Sequence, residues 1–151
     1  MSAKSLRFTF LLSCLLIAAS AFAQEANPVK GVWVGHWGPT LTPQSRIVIV
    51  LDYDGRNITG VLNPGPNAVP LRVARMDITP GKLASQGSPA VMPVFKIHIE
   101  ADTKDARGNT VNIVADGTMN LVPLPNRNIT GAWTQTTGGN TVRNDFEITR
   151  Q

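Results

Sequence analysis

The sequence predicts an all-β domain, an eight-stranded antiparallel up-and-down barrel, and three observations carry that expectation. Beyond residue 30, apolar residues recur with a period of two rather than 3.6. The alternating runs are short, and Gly, Pro, Asn and Asp punctuate them at nearly every join. No window after the first 24 residues supports a long amphipathic helix. Eight consecutive short strands with local connections form either a sandwich or a closed barrel. Closure removes both exposed edges and encloses room for one small ligand or a side-chain core, so the barrel is expected and the β-sandwich is the alternative.

The elements follow in order. Gly31–Trp37 is the first run and Ser45–Tyr53 the second. Asp54-Gly55 then supplies a tight hairpin signal, since glycine accepts the positive φ that such turns need. Asn57–Asn63 is broken by Pro64-Gly65-Pro66-Asn67, and Leu71–Ile78 ends at Pro80-Gly81. Within that strand Leu71 and Val73 have one parity, while Ala74, Met76 and Ile78 have the other. A one-residue bulge near Val73–Ala74 reconciles them. A Gly-, Ser- and Pro-rich loop leads to Val94–Ala101, where Phe95, Ile97, Ile99 and Ala101 alternate with Lys96, His98, Glu100 and Asp102. Val111–Leu121 repeats the pattern, as do Ile129–Gln135 and Val142–Arg150, joined across Gly138-Gly139. One apolar and one wet face per strand marks antiparallel sheet with a single buried side. Ile47 to Leu51 is apolar on both faces, which points to a covered strand or to a protein contact outside it.

One pentapeptide occurs twice, as Arg56-Asn57-Ile58-Thr59-Gly60 and Arg127-Asn128-Ile129-Thr130-Gly131. A shared hairpin solution explains it: a polar entry, one inward Ile, then a Gly where the strand bends. Duplication is the alternative, although no further identity surrounds either copy.

Residues 1–23 read as a secretory signal peptide: Lys4 and Arg7, an apolar run from Phe8 to Ala19, and Ala21-Phe22-Ala23 before Gln24. The run is shorter than the ~20 residues a membrane span needs. Residues 24–30 form a lead-in, and 31–151 a single domain. Cys14 is the one cysteine, and Leu11-Leu12-Ser13-Cys14 faintly resembles a lipoprotein box; lipidation there is the alternative to cleavage after Ala23. Cleavage leaves 128 residues without a disulfide, stabilised by one core. It also leaves twelve Lys and Arg against ten acids, scattered singly, which gives no footprint for nucleic acid. The expected location is the periplasm or the medium; oligomeric state is not fixed.

Candidate chemistry is thin. His98 lies on a polar parity, and His36 lies near a barrel mouth without an acidic or Cys partner to complete a metal site. Asp54 belongs to a turn, and neither a Gly-x-Ser-x-Gly elbow nor a phosphate-cradling loop is present. No catalytic residue, metal or cofactor is therefore assigned. The residues singled out for ligand binding are Trp37, Phe95, Met119 and Trp133, all on inward parities; ordinary core packing is their other role.

Gly31-Val32-Trp33-Val34-Gly35 resembles the Gly-x-Trp signature on the first strand of lipocalin and avidin-type barrels. The order of motifs is similar to that of the small exported lipocalin-like barrel domains of bacteria: Asp54-Gly55, Thr59-Gly60, Gly131-Ala132-Trp133-Thr134-Gln135 and the closing Ile148-Thr149-Arg150. The resemblance implies that Trp33 plugs one barrel end beneath Arg150. Disulfides, a C-terminal helix and the other lipocalin signatures are missing, so retinoid-type transport is not carried over. The expected function is non-catalytic binding of a small apolar or amphipathic molecule. A protein-interaction or inhibitor module acting through the 63–70 and 79–93 loops is the alternative, and a hydrolytic enzyme ranks last.

Overall fold

The computed structural model describes residues 28–37, 45–120 and 127–151. The expected signal peptide, Cys14 and most of the lead-in lie outside these residues. Alternating sequence becomes eight strands: β1 (Gly31–Trp37), β2 (Ser45–Tyr53), β3 (Ile58–Leu62), β4 (Val69–Thr79), β5 (Val94–Lys104), β6 (Thr110–Asn120), β7 (Asn128–Thr137) and β8 (Asn140–Arg150). Each pairs antiparallel with the next, and β8 returns to β1, closing the barrel. The expected fold class is the observed one.

Closure is made by the chain's last residues. Arg150 faces Trp33 across the β1–β8 pair, Ile148 faces Gly35, and Phe146 faces Trp37. Followed the other way round, Trp33 faces Ile49, Ile49 faces Leu62, and Leu62 faces Val69. That path reaches the opposite end of β8, about ten residues away, which is the stagger that tilts strands and widens a barrel.

The core is the inward set that the two-residue period selects. Trp33, Ile49, Leu51, Ile99, Ile129 and Ile148 are among its most deeply buried members, and no polar or charged residue among the described ones is buried. Outward positions on β5 are Lys96, His98, Glu100 and Asp102. On this strand a charged outer face backs an apolar inner one, the reverse of a strand in a lipid-embedded barrel. Among the described residues no helix is long and apolar enough to cross a membrane.

Two glycine settings show how the repeated pentapeptide works. A Cβ at Gly60 would lie 2.3 Å from the Val50 carbonyl oxygen, and one at Gly131 would lie 2.0 Å from that of Asp116. Both strands cross a neighbour more closely than any side chain allows, one Gly per copy, with Ile58 and Ile129 on the inward face just before. The pentapeptide is thus a common local solution to strand bending.

Departures from expectation lie at strand ends. β4 begins at Val69 rather than Leu71, taking in Pro70 opposite Val61. The bulge sits one residue earlier than parity suggests: Leu71 faces Ala101 and Val73 faces Glu100, so Arg72 is the extra residue. Parity reports that a slip has occurred but not which residue absorbs it. Here Arg72 is turned outward, where its guanidinium reaches Glu100 at 2.6 Å and Asp102 at 2.9 Å.

Candidate functional site

The ladder is uneven, and a concavity lies at its thinnest part. β5 and β6 run together without a break from Phe95–Met119 to Lys104–Thr110. β3 and β4 are joined only at Val61–Pro70 and Leu62–Val69. Two local choices explain the short seam. Pro70 has no amide hydrogen to extend the ladder, and the bulge at Arg72 throws the next part of β4 out of step. Leu71 still lies over Gly60, with its Cδ1 3.1 Å from the position a Cβ would take there. Past that contact the strands part, and a slot of about 480 Å³ opens in the barrel wall.

The slot's floor is core-facing: Tyr53, Ile58, Ala74 and Met76. Ile58 and Met76 pack directly against the buried core. Arg56, Arg72 and Arg75 stand on its rim. Here side chains that pack on the interior reach solvent through the wall. The slot's volume falls within the ~300–1,000 Å³ range of small-molecule sites.

The residues singled out from sequence fall into three groups. Trp33 is fully buried and its indole N–H donates to the Val29 carbonyl at 2.8 Å. Opposite it, the Arg150 side chain crosses β1 at Gly31: a Cβ there would meet Arg150 Nε at 2.9 Å. Gly31 also holds φ +146°, a backbone conformation that favours glycine, so the Gly of the Gly-x-Trp pair is required for its backbone. Trp37 and Trp133 stack at 5.4 Å with planes 30° apart, and Phe146 meets Trp133 edge-on at 6.4 Å. Phe95 and Met119 face each other across β5–β6, at the end of the barrel away from Trp37. The four proposed ligand contacts are therefore two pairs rather than one ring. Trp133 is 3% exposed and its Nε1 has no hydrogen-bond partner among the described residues.

The loop between β4 and β5 is ordered. Lys82 and Val91 exchange backbone hydrogen bonds, as do Ser85 and Ser88, making a small hairpin beyond the barrel rim. It exposes Leu83 (93%) and Met92 (63%) together with Val91.

His98 lies on the outer face, as its parity predicts, but its ring is not left to solvent. Its Nδ1–H donates to Asp116 Oδ1 at 2.6 Å and Nε2–H to Glu100 Oε1 at 2.9 Å. Its pKa is raised, first by Glu100 and then by Asp116, because both carboxylates favour the doubly protonated ring. Glu100 is lowered in turn, chiefly by His98. The ring nitrogens are each capped by an acid rather than aimed at a common point. Among the described residues no group of three or more His, Cys, Asp or Glu could hold a metal ion.

Comparison with protein-family models, with curated proteins and with solved structures finds no match to this chain.

Of these features, sequence reasoning missed the slot and its arginines. Gly60, Pro70 and the parity break near Val73 were its visible signals. Each was readable alone, but only the pairing of β3 with β4 turns them into an opening.

Proposed function

We propose that this is an exported, non-catalytic binding protein that takes a small amphipathic molecule through the side of its barrel. The observation that supports the reading is the slot between β3 and β4, where Ile58, Ala74 and Met76 meet solvent beneath a polar rim. An apolar chain laid on that floor is removed from water, worth roughly 25 cal/mol per Å² of apolar surface covered. Export rests on the basic–apolar–Ala-x-Ala start. Kinship with the small lipocalin-like barrels rests on Gly31-x-Trp33 and on Arg150 standing opposite that Trp.

Titration with an uncharged amphiphile such as decanol, followed by backbone amide NMR, tests the site. Shifts concentrated at Ile58, Gly60, Ala74 and Met76 are expected. Shifts centred on Trp37 and Trp133, with quenched Trp emission, would instead place the ligand at the aromatic layer, which the free Trp133 Nε1 favours. No response to any amphiphile would remove small-molecule binding altogether.

A second reading is supported by the β4–β5 hairpin. Leu83, Val91 and Met92 expose apolar surface on an ordered loop, as protein-docking elements do. It makes the barrel an interaction or inhibitor module. Assays against secreted proteases and lysozymes, with Leu83→Asp as control, test it: inhibition by the wild type that the variant loses would establish docking.

A further inference from the structure

The rim of the slot identifies the head group its ligand must carry, an inference that rests on the small-molecule reading above. Three guanidinium groups flank the opening. Arg72 is already engaged by Glu100 and Asp102. Arg56 and Arg75 have no salt bridge or side-chain hydrogen bond among the described residues, and both are exposed.

Three of the nearby acids are hydrogen-bonded to other groups. Glu100 accepts from His98 as well as Arg72, and Asp102 accepts from Asn112 Nδ2 at 2.8 Å. Asp54, in the same turn as Arg56, accepts from the backbone N–H groups of Arg56 and Asn57 at 2.8 Å each. Those bonds hold its carboxyl below the usual carboxylate range, so it stays ionised while bound to the turn. Arg75 feels Glu100 through space, but neither it nor Arg56 has a direct ion-pair partner among the described residues, so the slot presents two unbridged guanidinium groups above an apolar floor.

We propose that the slot binds an amphipathic monoanion, with its carboxylate on Arg56 and Arg75 and its hydrocarbon chain on Ile58, Ala74 and Met76. A guanidinium offers a planar fork of donors that matches a carboxylate in a way a lysine ammonium does not. Because the rim is wet, the charge contribution is modest and falls with salt, whereas the floor's contribution does not.

Three probes of equal chain length separate head group from chain: decanoate, decanol and decyltrimethylammonium, each titrated calorimetrically below its micelle concentration. Decanoate is expected to bind about tenfold tighter than decanol, the scale of a charge-assisted pair, and the cation weakest. In the Arg56→Gln/Arg75→Gln double variant, decanoate should fall to the level of decanol while decanol stays unchanged. Both side chains are exposed, and an unaltered thermal midpoint checks the fold. Decanol or the cation binding as tightly as decanoate overturns the anion assignment and leaves the slot as a binding site. A decanoate preference that survives the double variant also overturns it. Failure of all three probes overturns the small-molecule reading itself.

Discussion

Trp33 is held from two directions, by the Val29 carbonyl on its indole N–H and by the closing strand, where Arg150 stands opposite. Trp33→Ala is expected to cost ~3–5 kcal/mol in chemical denaturation, as other buried aromatic truncations do; a loss under about 1 kcal/mol would mean the core does not depend on it. His98 makes a different prediction. Its pKa is raised in the folded state, so the stability it adds is fully present below its unfolded value of about 6.5. That stability is lost as pH rises through the raised folded value. The gap in thermal midpoint between wild type and His98→Gln should therefore shrink as pH climbs from about 6.5. An NMR titration placing His98 at or below its ordinary pKa would contradict this. Parity alone put His98 on the outer face. Its grip on Asp116 was not legible, because a partner eighteen residues away depends on β5–β6 register rather than on either strand.

At the level of elements, strand identity was legible because each strand buries one face and the period survives in the letters. Strand ends were not. Asn140, Thr141 and Lys104 are polar residues whose pairing is decided by the neighbouring strand's length. The same limit hid the slot, since Ile58 and Met76 look like ordinary core positions until β3 and β4 fail to stay paired. The short seam has a dynamic counterpart. Amide exchange should be fastest along β3 and the start of β4 and slowest in the centres of β5, β6 and β7, where the ladders run unbroken. Uniform protection around the barrel would show that the seam is not a weak point. The β4–β5 hairpin belongs to the exposed class, so Leu83→Asp is expected to change stability by no more than about 0.5 kcal/mol.

For the whole molecule, the sequence expectation of export predicts a mature chain beginning at Gln24. N-terminal sequencing of protein recovered from its host checks it, and either Met1 or a lipidated Cys14 would contradict it. The closed ladder also sets the order in which the barrel can be completed. β1, at the start of the domain, finds one of its two neighbours only in β8, and the Gln151 amide donates to Val32 at 2.9 Å. Until β8 is made, the seven earlier strands therefore keep two raw edges. Removing Ile148, Thr149 and Arg150 would take away the pairs to Gly35, Val34 and Trp33 and so open the barrel.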